Sequence, residues 1–323
     1  MRATAIAHPM QALVKYHGLK DWNLRLPYHD SISVNLDALW TKTTVEFGDF
    51  EKDSITINDI EQDGNVLQRS LSVVDKIRVM ADLEARVKIV SMNNLALGEV
   101  KGLGYSSSGG AALAAAAFKS AGLDSKYGLD MSIISRIARL LAGSACRSVI
   151  GEYSRWYAGK DDLTSFAEKI ASKDDLDIGM IAVPLPSDFS TEEAHREVES
   201  SGFFHARIES VIKRVNEMER VIKDGSIEKV GELAELDSLE LHSLTMTGAR
   251  RMILLKPESL RLIQMVRKKR NQGLPVYFSM QTGPSVFINT YPENLEEILE
   301  EIRSLGMTGI RSGVGEGVRI VSD

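Results

Sequence analysis

The chain has 323 residues, of which 43% are hydrophobic and 26% are charged, and its formal net charge is −6. This composition is typical of a soluble globular protein and excludes disordered, collagen-like and coiled-coil chains. The acidic pI of about 5.7 argues against a nucleic acid as the main partner. Small anionic ligands remain possible, because local basic clusters can lie within an acidic chain.

The chain contains one cysteine, Cys146. It therefore forms no internal disulfide and no multi-cysteine zinc site, which favours a reducing compartment. The first ten residues hold no apolar leader-like stretch, and no window approaches the roughly 18 apolar residues of a membrane span. We therefore expect a cytoplasmic protein that is neither secreted nor inserted in a membrane.

Short β-branched segments dominate the first third of the chain. Residues 31–37 and 41–47 alternate in part between apolar and polar side chains and predict an antiparallel meander. Residues 66–84 are predicted as a helix, and the alternation at 86–92 is typical of a half-buried strand. A loop then leads to residues 109–118, an alanine-rich and almost wholly apolar stretch that predicts a buried helix.

The middle of the chain predicts one more helix and one more strand before its character changes. Residues 131–142 form an apolar helical pattern, residues 143–148 lie at its junction with a strand, and that strand is expected over 149–156.

Long amphipathic helices mark the second half, which we expect to begin after residue 185. This gives an N-terminal lobe at 1–185 and a C-terminal lobe at 186–323. Strands and helices follow one another there in a way that predicts an α+β fold, with antiparallel sheets packed against helices rather than a doubly wound parallel sheet. The predicted helices are 191–222, 227–246, 257–271 and 292–305, and the predicted strands of the C-terminal sheet are 275–281, 285–289, one around Ile310 and 318–321.

A glycine- and serine-rich segment provides the strongest local signal for a ligand. Lys101, Gly104, Ser106, Ser107 and Ser108 precede or begin the alanine-rich helix. Glycine lets the backbone approach a ligand closely, and a helix start offers free amide donors, so the segment is suited to a phosphate. A flexible loop with a good helix cap would give the same pattern. The segment is neither a Walker A loop nor a dinucleotide-binding fingerprint.

Basic and aromatic residues also cluster near the N-terminus. Lys15, Tyr16, His17 and Lys20 lie among apolar neighbours, so we expect Lys15 to be buried and to need an anion. A structural ion pair with a nearby acid is the alternative.

Arg147 lies among small residues that leave room for a ligand, and its guanidinium suits two-point recognition of a carboxylate or phosphate. The adjacent Cys146 is expected to pack as a small hydrophobic residue rather than to act as a nucleophile.

The segment 277–285 breaks at Gly283-Pro284, which brings side chains near a cleft or simply closes a hairpin. His195, His205 and His242 lie on predicted helices without the spacing of a zinc site, and we expect no metal centre.

In this order, these blocks resemble the mevalonate diphosphate decarboxylases, within the superfamily of galactose, homoserine, mevalonate and phosphomevalonate kinases. The resemblance spans nearly the whole chain. It depends on Val14-Lys-Tyr-His-Gly-Leu-Lys-Asp21 against I-K-Y-W-G-K-x-D, on the serine-rich loop, on Gly143-Ser-Ala-Cys-Arg-Ser148, on Ser190-Thr191 against S-S-x-x-G-M, and on Met280-Gln-Thr-Gly-Pro-Ser285 against M-D-A-G-P-N.

The resemblance implies a two-lobed fold with the active cleft between the lobes, and homodimers are usual in this family. Its members phosphorylate the 3-hydroxyl of a mevalonate phosphate with ATP and then release that phosphate and carbon dioxide. It further implies that Arg147 orients the carboxylate and that Lys15 and Tyr16 contact an anionic end of the substrate. The other residues that it places at the substrate are His17, Lys20, Ser190 and Thr191, and it assigns Ser106, Ser107 and Ser108 to the phosphate loop.

Three departures from the family pattern bear on the chemistry. Gln281 occupies the position of the family's aspartate and, as an amide, is unable to accept the hydroxyl proton. Leu19 occupies the position of its second lysine, although Lys20 is adjacent. Glu192 occupies the position of an arginine that grips the 5-diphosphate, and a carboxylate there would repel a dianion.

These departures favour a substrate that arrives already phosphorylated on oxygen 3 and carries one phosphate on carbon 5. Our leading expectation is therefore a mevalonate 3,5-bisphosphate decarboxylase of the archaeal type, which yields isopentenyl phosphate with no cofactor. The alternative is an ATP-dependent diphosphomevalonate or phosphomevalonate decarboxylase, with ATP and Mg²⁺. A mevalonate 3-kinase that stops before decarboxylation and a non-catalytic binding protein remain open as well.

Overall fold

The computed structural model describes residues 1–95, 100–101 (backbone only) and 103–321. Within them the strands are β1 (Arg2–Ala7), β2 (Met10–Val14), β3 (Leu19–Asp21), β4 (Leu26–Pro27), β5 (Ser31–Asn35), β6 (Thr41–Gly48), β7 (Ser54–Ile57), β8 (Ile60–Gln62), β9 (Arg86–Asn93), β10 (Val100–Lys101), β11 (Tyr153–Trp156), β12 (Ala167–Ala171), β13 (Gly179–Val183), β14 (Leu185–Pro186), β15 (Val276–Met280), β16 (Val286–Thr290), β17 (Ile310–Ser312) and β18 (Arg319–Val321).

The α-helices in the same residues are α1 (Gly64–Ala81), α2 (Tyr105–Ser120), α3 (Asp124–Tyr127), α4 (Met131–Arg139), α5 (Ala145–Ile150), α6 (Thr191–Glu197), α7 (Phe204–Lys223), α8 (Ile227–Thr247), α9 (Pro257–Asn271) and α10 (Leu295–Ser304). Short 3₁₀ turns at Val198–Ser200 and Pro292–Asn294 precede α7 and α10. None of these described helices combines the length and the apolar character that a membrane span requires.

A six-stranded sheet in the order β18-β1-β6-β9-β7-β8 forms the base of the N-terminal half. Helix α2 packs on it through an almost continuously buried alanine face, as its sequence predicts, because side chains this small let helix and sheet approach closely. Strand β9 alternates between buried and exposed side chains, which also confirms the prediction.

Two four-stranded antiparallel sheets carry the rest of the fold, in the orders β12-β11-β5-β2 and β15-β16-β13-β17. The long helices α7 and α8 pack between them, with Val215, Val230 and Phe287 in one shared core. Helices α9 and α10 cover the other face of the second sheet. The α+β class, with antiparallel sheets packed against helices, is therefore confirmed.

The predicted meander at the N-terminus is wrong. Strand β5 pairs with β2 and β11, whereas β6 pairs with β1 and β9, so the two consecutive strands belong to different sheets. The connection between them is held by Asp37, whose Oδ1 accepts a hydrogen bond from the amide of Gly313 at 2.7 Å. An alternating pattern identifies a half-buried strand but carries no information about its partner.

The expected place of the last strand is also wrong. Strand β18 pairs with β1 in the N-terminal sheet, not with the C-terminal sheet. The connecting chain returns along the N-terminal half, where the Gly315 amide donates to the Asn35 carbonyl at 2.8 Å and the Val318 amide donates to the Val149 carbonyl at 3.0 Å.

Residues 143–156 differ from the expected junction of a helix with a strand. Residues 145–150 form helix α5, and the strand begins only at Tyr153. The helix ends at Gly151, which has φ +78° and lies so close to the Gly317 backbone that a side chain would not fit. Arg147 is therefore a helical residue.

The lobe boundary after residue 185 stays a prediction. Strand β13 precedes it and nevertheless pairs with β16 and β17 of the C-terminal sheet. The helices predicted in the C-terminal half are confirmed, except that the first divides into α6 and α7.

Two adjacent glycines in α2 allow a matched test of the packing between α2 and α5. A Cβ at Gly110 would lie 2.7 Å from the Cβ of Ala145, whereas a Cβ at Gly109 would meet nothing within 4 Å. We expect Gly110→Ala to lower the free energy of unfolding by about 1–3 kcal/mol through overpacking. We expect Gly109→Ala to raise it by up to about 1 kcal/mol, because alanine is the better helix former. Urea titrations of both variants measure the difference, and equal effects would contradict the close packing.

Candidate active site

Two connected cavities lie where the N-terminal and C-terminal halves meet. Cavity A, of about 90 Å³, is lined by Lys15, Tyr16 and Ser144 from the first half and by Ser190, Gln281 and Thr282 from the second. Cavity B, of about 260 Å³, is lined among others by Leu19, Trp22, Arg25, Arg69, Glu192 and His195. Residues common to both linings are Tyr16, Ser106, Ser144, Ser190 and Thr191, so one elongated ligand can extend through both.

Lys15 follows the end of β2 and is 5% exposed. Its backbone is fixed on both sides: the amide donates to Oδ2 of Asp237 at 2.9 Å, and the carbonyl accepts from Arg207 Nη2 at 3.2 Å. The ammonium nitrogen lies 5.1 Å from the centroid of the Tyr16 ring. Burial, aided by the positive charge of Arg147, lowers the pKa of Lys15 to about 7. Near neutral pH this side chain can therefore both hold an anion and exchange a proton.

A buried ion cluster supports this lysine without using its ammonium group. The Asp237 carboxylate accepts from Arg207 at 2.9 Å and from Arg214 at 3.0 Å, and all three side chains are at most 4% exposed. Glu240 bonds to both arginines at the edge of the cluster. Asp237, the acid near Lys15, is thus already paired with two arginines. It therefore does not by itself neutralise the ammonium group of Lys15.

Arg147 is fully buried and has no hydrogen-bond partner on any of its three guanidinium nitrogens within the described part of the chain. Its guanidinium carbon lies 5.7 Å from the centroid of Tyr16 and 5.9 Å from that of Trp156. It lies behind Tyr16 rather than in the lining of either cavity. Burial lowers the pKa of Arg147, but the group stays charged at neutral pH. An unpaired buried cation is costly, and an anionic ligand that reached this guanidinium would satisfy its free donors.

Gln281 follows β15 and lines cavity A. Its side-chain amide donates to the carbonyl of Ala12 at 3.3 Å, and its backbone carbonyl hydrogen-bonds Nε2 of His242 at 3.1 Å. The neighbouring Thr282 hydroxyl also faces this cavity and is buried without a partner in the described structure. No carboxylate belongs to the described lining of cavity A. A hydroxyl bound there would meet amide and alcohol groups and Lys15, but no acid.

The other residues of the N-terminal basic cluster separate in the structure. Tyr16 lines both cavities and stacks on His195, with ring centroids 4.8 Å apart. His17 is 1% exposed, lines neither cavity, and has no partner for either ring nitrogen in the described structure. Its pKa is well below the ordinary value because of burial, so the ring is neutral. Lys20 is exposed, and its ammonium group donates to the Gly159 carbonyl at 2.6 Å. His17 and Lys20 thus lie outside both linings.

Ser106 is the only serine of the predicted phosphate loop that lines the cavities. Ser107 donates to the Gly104 carbonyl at 2.6 Å, and Ser108 bonds to the Thr41 hydroxyl at 2.6 Å. All three serines lie in the first turn of α2, where successive side chains point about 100° apart, so they do not share a direction.

The predicted backbone feature of this loop is present. Gly104 precedes α2 with φ +81°, and a Cβ there would lie 3.1 Å from the Met10 carbonyl oxygen. The side chain of Lys101 lies outside the described residues.

Ser190 and Thr191 are found where the sequence places them, at the start of α6 and in both cavity linings. The Ser190 hydroxyl and the Glu193 carboxylate form a capping box with the helix backbone. The Ser190 hydroxyl is therefore already used within the helix cap, whereas no hydrogen bond is formed by the Thr191 hydroxyl in the described structure.

A third cavity, cavity C, of about 260 Å³, adjoins the same region. Its walls include Ile55, Ile57, Ile89 and Leu113, and its lining shares Asn65, Arg69 and Ser106 with cavity B. A planar apolar group of the size of a nucleobase fits such a space, with its polar extension directed past Ser106 toward the cleft.

Sequence reasoning overlooked Arg25, Arg69, Ser144 and Thr282. Ser144 was within the identified segment but was passed over beside Arg147, and Thr282 likewise beside Gln281. Arg25 lies between two leucines, and Arg69 lies within a predicted helix. Neither segment has a pattern that marks a ligand site, and both arginines join the site only through tertiary contacts. In the described residues, no three His, Cys, Asp or Glu side chains converge as metal ligands would.

Comparisons with known proteins match the chain over nearly its whole length. Residues 7–167 match the family model of the diphosphomevalonate decarboxylase-like N-terminal domain, and residues 187–309 match that of the mevalonate 5-diphosphate decarboxylase C-terminal domain.

Two relatives and one solved structure show the extent of the similarity. Phosphomevalonate decarboxylase from Haloferax volcanii is 38% identical, with 100% of this chain and 98% of that protein covered. Mevalonate 3,5-bisphosphate decarboxylase from Thermoplasma acidophilum is 26% identical, with 92% of this chain and 72% of that protein covered. A structure of mevalonate diphosphate decarboxylase from Enterococcus faecalis, solved to describe its ATP binding, has a TM-score of 0.91 at 29% identity, covering 100% of this chain and 99% of that one.

Proposed function

This chain belongs to the diphosphomevalonate decarboxylase family and is a carboxy-lyase of phosphorylated mevalonate, and from this premise we propose that it decarboxylates mevalonate 5-phosphate with the use of ATP. The products are isopentenyl phosphate, carbon dioxide, ADP and inorganic phosphate. The observation that carries the choice of ATP is cavity C, an apolar space that joins the cleft at Ser106 and Arg69. The full-length likeness to phosphomevalonate decarboxylase supports the same choice.

In the first step, the γ-phosphate of ATP is transferred to the 3-hydroxyl of the substrate in cavity A. Phosphoryl transfer has a loose transition state and depends mainly on positioning and on neutralising charge. A carboxylate base at position 281 is then not essential. Lys15, with its pKa of about 7, is partly neutral before the ligand binds and can accept the hydroxyl proton.

In the second step, the 3-phosphate leaves with the electrons of its C–O bond, and the electrons of the C1–C2 bond form the double bond as carbon dioxide departs. Protonated Lys15 stabilises the departing phosphate. Arg147, whose guanidinium carbon lies 5.7 Å from the Tyr16 ring centroid on the wall of the cleft, is assigned to the carboxylate. Because cavity A is small, a bound substrate leaves little room for water beside the developing cation, and the described lining holds no carboxylate that could capture it.

ATP normally carries Mg²⁺ on its phosphates, where the ion would neutralise charge. The described residues offer no cluster of acidic or imidazole ligands for such an ion. On ATP such an ion would be bound by phosphate oxygens.

One observation favours a second function, the ATP-independent decarboxylation of mevalonate 3,5-bisphosphate. Gln281 leaves cavity A without a carboxylate base, and a substrate phosphorylated beforehand would need none. Lys15 and Arg147 would serve the departing phosphate and the carboxylate in the same way. The likeness to the Thermoplasma acidophilum enzyme supports this alternative, although the matching region covers a smaller share of that protein.

Incubation of the purified protein with defined substrates separates these functions. Release of carbon dioxide from mevalonate 5-phosphate only when ATP is present is the expected result. Release from mevalonate 3,5-bisphosphate without any nucleotide, and none from mevalonate 5-phosphate with ATP, would replace the proposal by the second function. Consumption of ATP with accumulation of a 3-phosphorylated product would instead identify a kinase.

A further inference from the structure

We propose that Arg25 and Arg69 form the binding subsite for the phosphate on carbon 5, and that Glu192 restricts this subsite to a single phosphate. The inference rests on the proposed function, because it assigns the end of the substrate that lies away from the reacting carbon. Leu19 and Glu192, which line cavity B, offer no positive charge to a phosphate. The two arginines supply that charge.

The two arginines are held side by side at the end of α4. Arg25 Nε donates to the Leu140 carbonyl at 3.0 Å, and Arg69 Nε donates to the Leu141 carbonyl at 3.0 Å. Arg69 Nη2 also donates to the Leu141 carbonyl. These bonds fix both guanidinium groups and leave both terminal nitrogens of Arg25 and one of Arg69 without a hydrogen bond in the described structure.

No carboxylate contacts this pair directly in the described structure, although the charge of Glu192 acts on Arg69 and raises its pKa in part. Like Arg147, neither arginine forms a salt bridge among the described residues, whereas Arg207 and Arg214 are both paired with acids. Burial lowers the pKa of Arg69, and the charge of Arg25 lowers it further. Two like charges held together in a cavity bind a dianion favourably, because the anion removes their repulsion and fills the free donors.

The position agrees with the length of the substrate. Cavities A and B share Tyr16 and Ser144, so carbon 3 can lie beside Lys15 while carbon 5 extends into cavity B. In mevalonate these two carbons are separated by only two bonds. One substrate molecule can therefore occupy cavity A and cavity B at the same time.

Glu192 supplies the limit on charge. It lies on the wall of cavity B, its side chain is 35% exposed, and Arg196 is 3.6 Å from it. Arg196 in turn stacks on Trp22 at 3.9 Å from the ring centroid, which keeps that arginine on the rim. A second phosphate on carbon 5 would add negative charge beside this carboxylate, with no further unpaired cation in the described lining.

Binding measured by calorimetry tests the arginine pair without relying on turnover. Arg69→Gln should weaken the affinity for mevalonate 5-phosphate at least tenfold and leave that for unphosphorylated mevalonate unchanged, and Arg69→Lys should restore part of the loss. Arg303→Gln, on the surface of α10, is the matched control for loss of one charge. An equal loss for both ligands, or none for either, would overturn the assignment of Arg69.

Turnover of two substrates tests Glu192. Glu192→Gln should raise kcat/KM for mevalonate 5-diphosphate relative to mevalonate 5-phosphate at least tenfold, and Glu296→Gln should not change this ratio. An unchanged ratio in Glu192→Gln would overturn the selectivity role. Failure of the wild-type protein to turn over mevalonate 5-phosphate would instead reject the proposed function, while the calorimetric comparison would still decide the phosphate subsite.

Discussion

Replacement of Arg147 by methionine is expected to lower kcat roughly a hundredfold or more, because the carboxylate loses the group that orients it for departure. The same change should raise the free energy of unfolding of the ligand-free protein by about 1 kcal/mol or more, since it removes a buried cation with no hydrogen-bond partner in the described structure. Steady-state kinetics and urea titration measure the two effects. A more stable and nearly inactive variant would identify Arg147 as a residue retained for chemistry at the expense of stability.

Arg155→Met provides the contrasting control. Arg155 is paired with Asp30 at 2.6 Å and with Glu219 at 2.9 Å, away from the cleft. Its loss should lower stability and leave kcat close to that of the wild type. If Arg147→Met kept wild-type turnover, the carboxylate would have to be held elsewhere.

Replacement of Lys15 by methionine is expected to lower kcat by about a thousandfold, within the range for loss of a general acid or base. Both ADP formation and carbon dioxide release should fall, because Lys15 takes the hydroxyl proton in the first step and stabilises the phosphate in the second. Parallel assays of the two products measure this. Normal ADP formation without carbon dioxide would restrict Lys15 to the second step.

The pH dependence of stability gives an independent check on Lys15. Its pKa is about 7 in the folded protein, against an ordinary value of 10.5, so the unfolded chain binds more protons between these limits. The contribution of Lys15 to the free energy of unfolding of the ligand-free protein should therefore rise with pH from about 7 to 10.5. Below pH 7 the ammonium group is charged in both states, so the full cost of burying it remains. Lys15→Met should lack this component of the rise, as measured by urea titration at several pH values. The same slope in both proteins would show that Lys15 is not the titrating group.

Much of the fold follows from local patterns in the chain. Helices α1, α8 and α9 were predicted within three residues at each end, because amphipathic periodicity and capping residues act locally. The partners of β6 and β18 were not predictable in this way, since apolar alternation is the same whichever sheet a strand joins. The partners depend on contacts between residues far apart in the chain, such as the one between Asp37 and Gly313.

The candidate site was predictable where a single segment carries the signal. Lys15, Tyr16 and Gln281 line the cleft as expected. Ser107, Ser108 and His17 were assigned to it because composition does not show which side of an element faces a cavity. Arg25 and Arg69 were overlooked for the opposite reason: the lack of an acidic partner becomes visible only when all neighbours are in place.

The return of the chain from β17 to β18 has a consequence for how the two halves can be separated. The first half completes its main sheet with a strand from the end of the chain, and the second half completes its own sheet with β13, which comes before the expected boundary. Each half thus lends a strand to the other. A gene cut at codon 185 would encode a first fragment that lacks an edge strand and a second fragment that lacks an interior strand, so this architecture cannot be exchanged between proteins as two interchangeable modules.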